Sequence, residues 1–180
     1  ILKNKLRENR PDLILEFEEE YKRAKLTRDF LHAGNFPGMS TGDPDLYKAF
    51  LWRFWFLTSE KNSRIGIVFP RTGLSAKGSE KFRRNLFSSA SVIDITTFLN
   101  TSHWIFDIES RYTIAAISIS KKDELKSKHL SLRGPFDSMQ NFLKGKDKEA
   151  QNFEISEVFN WNESVSLPLL PETYSSEVFL

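Results

Sequence analysis

The chain has 180 residues, a net charge of +2 and no cysteine; this suits a single domain with a real core and removes disulfides, thiolate metal sites and cysteine nucleophiles. Hydrophobic residues at 39%, aromatics at 13% and charged residues at 28% are the balance of a folded globular protein, since disordered chains lack that aromatic content. No apolar run nears the roughly 20 residues that span a bilayer, and no basic-then-apolar signal opens the sequence, so the expectation is a cytoplasmic protein with no membrane role. A pI near 8.8 permits contact with nucleic acid without requiring it.

Pro11 suits the first turn of a helix, where its missing N–H costs nothing. Leu13, Phe17, Tyr21 and Ala24 then recur at helical spacing to about residue 31, and the other face, from Glu18 to Lys25, reads as solvated surface with acid early and base late. Gly34, Pro37, Gly38, Gly42 and Pro44 make 33–45 a long loop. A second helix is expected over about 45–58, with Leu46, Tyr47, Phe50, Leu51, Phe54 and Trp55 forming a wide apolar face that calls for burial. Residues 65–69, Ile-Gly-Ile-Val-Phe, read as a central strand covered on both sides and ended by Pro70.

Ser79 can cap a helix running to about residue 87, with Phe82 and Leu86 inward and Lys81, Arg83 and Arg84 outward. Strands are expected at about 91–98 and 112–120, antiparallel to one another. Beyond residue 121 the pattern weakens into a charged linker, the stretch His129-Leu130-Ser131-Leu132, a helix around 136–143 and a Lys-Gly-Lys-Asp-Lys turn. The proline-broken run 164–171 reads as an extended connector, with a helix starting after it. The order is that of an α/β protein.

Little of this carries chemistry of its own. His32, His103 and His129 are far apart and lack the partners of a metal site, and no Gly-x-Ser-x-Gly elbow is present. Gly73-Leu74-Ser75-Ala76-Lys77-Gly78-Ser79 fails the phosphate-loop pattern because its lysine precedes the second glycine. A loop leading into a helix start beside Lys77, Arg83 and Arg84 is nonetheless a candidate contact for DNA backbone phosphates, set against a plain surface helix. No catalytic residue and no metal ligand is assigned.

The order Asp45-Leu46-Tyr47-x-x-Phe50, then Gly66-Ile67-Val68-Phe69-Pro70, then Gly73-Leu74-Ser75 with Gly78, then Phe106 resembles the downstream motifs of S-adenosylmethionine-dependent adenine-specific DNA methyltransferases, above all those of type II restriction-modification polypeptides. The likeness covers about residues 40–120, and 167–177 is similar to the family's passage toward target recognition. It implies a partial doubly wound, Rossmann-like sheet with an antiparallel strand pair. It also implies a cofactor-binding set of Asp45, Tyr47, Phe50 and Pro70, with Phe50 packing on the cofactor adenine, and Phe106 stacking on an extruded target base. Trp104 and Tyr112 are near enough in sequence to take that last role instead. Stacking of this kind stabilises by about 1–3 kcal/mol per base, and a base must leave the duplex before its amino group can react.

The family's glycine-rich cofactor loop, its acidic ribose-binding residue and its Asn/Asp-Pro-Pro-Tyr/Phe segment do not occur in residues 1–180. The resemblance therefore implies the back half of a methyltransferase domain over 1–125, a connector over 126–180, and inactivity alone. The expected partners are double-stranded DNA and the rest of the same polypeptide, with self-association through exposed sheet surface. The contrasting expectation is a noncatalytic DNA-binding or protein-interaction module that keeps the fold.

Overall fold

A computed structural model describes residues 2–40, 42–60, 63–121 and 128–170. Helix α1 (Leu2–Asn9) leads into α2 (Pro11–His32), with Pro11 at its start as the sequence requires. Of α2 only Leu31 is buried; Leu13, Phe17 and Tyr21 face solvent. The helix that the spacing anticipates is therefore present, but its apolar stripe has no cover among the described residues.

Helix α3 (Leu46–Leu57) buries Lys48, Ala49, Leu51 and Trp52. The broad face expected to be buried is corrected here, because Leu46, Phe50 and Phe54 are exposed and Tyr47 and Trp55 are only half-buried. Trp52 anchors the helix, meeting Phe82 edge-on at 6.2 Å. Strand β1 (Arg64–Pro70) follows, then the short α4 (Thr72–Ser75), a 3-10 turn at Lys77–Ser79 and α5 (Glu80–Ser89). Phe82 and Leu86 point inward as expected, and Ser79 sits at the N-cap position without a side-chain hydrogen bond.

Strands β2 (Ala90–Leu99) and β3 (Thr113–Lys121) form the expected antiparallel pair. Two further strands that the sequence reading did not recognise, β4 (His129–Phe136) and β5 (Gln151–Glu154), flank α6 (Met139–Gly145) and precede the single turn α7 (Ile155–Val158). The five-stranded sheet has the order β1-β3-β2-β4-β5. β3 runs antiparallel to both neighbours and β2 parallel to β4, so β1, β2 and β4 all point the same way.

Register places Ile65, Ile119, Ile93, Leu130 and Phe153 in one row, and Ile67, Ile117, Ile95 and Leu132 in the next. Alternation puts all of these on one face, where they meet Leu51, Trp52, Phe82, Leu86 and Phe87 in the core. The opposite face carries Gly66, Val68, Asp94, Thr96, Ser118 and Ser120. Val68 is 55% exposed and β1 lies at the sheet edge, which corrects the expectation of a central strand covered on both sides. At its far end this second face is covered by α6, through Phe142 against Phe98 and Phe136 at 5.6 and 5.4 Å.

The segment expected as an extended connector opens on a turn at Ser164, with Val165 at φ +51, and packs into the core through Val165, Leu167 and Leu170. Leu167 N–H donates to the Leu74 carbonyl at 2.9 Å. β4 and β5 belong to the same sheet as β1, β2 and β3. The expected charged linker around 122–127 and the terminal helix start lie outside the described residues.

Candidate functional site

Because β1, β2 and β4 are codirectional, their carboxyl ends gather at one rim, the usual place for ligands in open α/β sheets. Pro70, Ile114, Phe98 and Phe136 form successive cross-strand partners along it. The segments leaving this rim contain Lys77, Trp104, Phe106 and Tyr112, whereas Asp45, Tyr47 and Phe50 come from the start of α3 and Arg83 and Arg84 from α5.

At the β1 end, Tyr47 stacks on Phe69 with ring centroids 5.1 Å apart and planes 19° from parallel. A Cβ at Gly73 would lie 2.9 Å from the Tyr47 ring, so that close approach needs glycine. Thr72, Asp45 and Ser79 surround the Tyr47 hydroxyl, which is buried but makes no hydrogen bond of sound geometry among the described residues. Burial, reinforced by the Asp45 charge, pushes its phenol up to about 12. Asp45 is exposed and pairs with the buried Lys48 ammonium at 3.0 Å. Pro70, Arg71, Thr72 and Tyr112 line an adjacent hollow of about 360 Å³.

Of the four expected cofactor residues, Asp45, Tyr47 and Pro70 therefore lie on or beside the Tyr47–Phe69 junction. Phe50 stands apart, 55% exposed, with Phe54 stacked beside it at 6.4 Å.

At the β2 end, Asn100 governs the loop 101–112. It is fully buried; its amide donates to the carbonyls of Phe106 at 2.9 Å and Ile108 at 3.3 Å, and its Oδ1 accepts from the N–H groups of Ile105 and Phe106. Two donors and two acceptor positions are all that the side chain has. The loop's backbone is thus pinned while Phe106 and Tyr112 remain 44% and 53% exposed. Trp104 is committed elsewhere, its indole N–H donating to the Leu99 carbonyl at 2.7 Å and its ring meeting Phe98 edge-on. A lone asparagine after a strand is too common in sequences for this role to have been recognised in advance.

The basic set divides. Arg83 is wholly buried, which corrects the outward position expected from helical spacing. Its guanidinium donates to the carbonyls of Gly73, Ala76, Ser164 and Val165 at 2.7–3.0 Å. Burial pulls it down to about 10, still far above neutrality, so it is a charged clamp between α5 and the chain's last described segment. Arg84 is half-buried and bonded to Glu80 and the Glu163 carbonyl. Lys77 is exposed.

No family model and no curated protein matches the sequence. Solved structures do resemble it. A type I restriction-modification system methyltransferase subunit from Streptococcus thermophilus superposes with a TM-score of 0.51 at 12% identity, over 69% of this chain and 30% of that one. The fold of this chain is similar to that of part of the methyltransferase subunit. An ATP-dependent Type ISP restriction-modification enzyme, LlaBIII bound to DNA, gives 0.50 at 16% identity over 78% of this chain and 11% of its own. This chain thus spans less than a third of either protein. The methyltransferase-like fold accounts for the mixed sheet and its antiparallel pair. Among the described residues no helix is long and apolar enough to cross a membrane, and no cluster of His, Asp or Glu that could hold a metal ion is present.

Proposed function

We propose that this chain is the back part of a DNA methyltransferase domain of a restriction-modification system, which transfers a methyl group from S-adenosylmethionine to the exocyclic amino group of adenine. The observation that carries the reading is the pinned loop 101–112: it presents Phe106 from a backbone fixed by Asn100, at the rim where ligands meet such sheets. The cofactor's part is an electrophilic methyl.

The residues here supply positioning. Phe106 is the platform for the extruded base, whose unstacking from the duplex costs a few kcal/mol. Trp104 is disfavoured because its ring and N–H are already engaged. Tyr112 borders the hollow beside Pro70. Phe50 offers an open ring to the cofactor adenine, and Asp45 with the Tyr47–Phe69 stack forms a separate wall at the β1 end of the rim. Lys77 and the exposed part of Arg84 face backbone phosphate, while the committed donors of Arg83 leave it as structural support. The cofactor loop and the Asn/Asp-Pro-Pro-Tyr/Phe segment come from further polypeptide, so the chain is inactive alone.

The test is S-adenosylmethionine binding by calorimetry, with this chain and with a polypeptide extended upstream. Binding by the extended protein only, weakened about tenfold by Phe50→Ala, supports the reading; binding by neither discards it. In the extended enzyme, Phe106→Ala should lower methyl transfer to duplex DNA at least tenfold while cofactor binding stays within twofold. The exposed apolar surface of α3 favours a second reading, a noncatalytic interaction module, which predicts a protein or DNA partner and no cofactor binding by either polypeptide.

A further inference from the structure

A second hollow, of about 340 Å³, opens at the carboxyl end of β4, between that strand and the end of α6. Arg133, Lys144 and Lys148 line it, against one carboxylate, Glu149. None of the three cations has a hydrogen bond or ion pair through its side chain among the described residues, whereas neighbouring Lys146 is paired with Asp147 at 3.0 Å. Arg133 Nε is buried with no partner. A buried donor left unmade costs on the order of 1–3 kcal/mol, more when it is charged. Lysines in the last turn of a helix complement its dipole and need no ligand for that. Arg133 comes from the strand, and the dipole does not explain it.

The hollow is rigidly built. Gly134 has φ +87, and a Cβ there would meet the Thr97 carbonyl at 2.4 Å. Thr97 Oγ1 donates to the Arg133 carbonyl, and Thr101, in the loop carrying Phe106, donates to the Asp137 carbonyl at 2.7 Å. The basic hollow is thus tied to that loop on the same rim. The loop carrying Phe106 leaves β2, which is hydrogen-bonded directly to β4, so the hollow lies beside that loop and not across the sheet from it.

We propose that Arg133, Lys144 and Lys148 form a binding site for a phosphate of the DNA backbone, on the same rim as the base that Phe106 receives. The site rests on the DNA-methyltransferase reading for its ligand, but not on the cofactor. Arginine and lysine at such sites fix the register of a duplex without reading its sequence.

The test is binding of a short fluorescent duplex to the full chain at several salt concentrations, for the unaltered protein, Arg133→Gln, Arg133→Lys and Lys144→Ala. Each loss of a phosphate contact should reduce the slope of log affinity against log salt by about 0.9. Arg133→Gln is expected to show this with a severalfold weaker affinity for duplexes of any sequence, at unchanged melting temperature, while Arg133→Lys keeps most of the slope. An unchanged slope in Arg133→Gln, or no duplex binding by the unaltered chain, overturns the site. So does inorganic phosphate binding that Arg133→Gln abolishes while duplex binding stays intact, which would mark a small-anion site. Duplex binding with the expected slope change, but no S-adenosylmethionine binding by the upstream-extended protein, would overturn the methyltransferase reading and leave the phosphate site standing.

Discussion

Tyr47 shows how burial and an adjacent charge act together on one side chain. Its neutral form is favoured in the folded state, because ionisation would place a phenolate in a poorly solvated spot next to Asp45. The stabilisation that accompanies this is complete below the ordinary tyrosine value of about 10 and is lost as pH rises through about 12. Ultraviolet titration of the phenolates should show a late phase from Tyr47. Tyr47→Phe should remove that phase and leave stability at neutral pH within about 1 kcal/mol, since the hydroxyl has no hydrogen bond to lose.

Arg83 is the opposite case, a buried group with every bond made. Arg83→Met removes the guanidinium donors from four carbonyls, of which Ala76 keeps its bond from Ser79 N–H, and should destabilise by about 3 kcal/mol or more, since each unmet buried acceptor costs about 1–3 kcal/mol; denaturant unfolding measures it. Helical spacing could not reveal this inward turn, because the carbonyls that hold the guanidinium come from residues up to 82 positions away.

Among the elements, the loop 101–112 and the β2–β4 pair have distinct weak points. Asn100→Asp removes both amide donors and sets a carboxylate against the carbonyls of Phe106 and Ile108. It should cost roughly 2–3 kcal/mol and speed amide exchange in the loop, without altering β3. Gly134→Ala forces a methyl against the Thr97 carbonyl and should lower the melting temperature while loosening the end of β4. A mutant as stable as the parent would show that β4 can shift at no cost.

The helices and strands that the sequence disclosed share strong local signals: Pro11 for α2, the aromatic run of α3, and the isoleucine-rich alternation of β3. β4 and β5 lacked them. His-Leu-Ser-Leu-Arg-Gly-Pro-Phe holds a glycine and a proline, and β5 has four residues, so β4 owes its strand character to a place beside β2 and β5 to a place beside β4. Propensity is overridden there by tertiary pairing.

Across the whole molecule, burial is uneven. The core lies on one face of the sheet under α3 and α5, while α2 projects with its apolar stripe uncovered and the β1 edge is unpaired among the described residues. Hydrogen exchange should therefore be slowest in β2 and β3, which have strands on both sides, and fast along most of α2. Protection of α2 equal to that of β3 would mean a partner covers it in solution.

By itself the sequence determined the α/β class, the antiparallel pair and the order of motifs in which Tyr47, Pro70 and Phe106 occur, because these rest on local periodicity and on residue types with fixed conformational costs. Only the tertiary structure decided that Arg83 is a clamp, that Trp104 is spent on packing, that Asn100 holds the Phe106 loop and that Arg133 joins Lys144 and Lys148 in one hollow. Each of those depends on groups distant in the chain being brought within hydrogen-bonding or packing range, and a one-dimensional pattern carries no record of such distances.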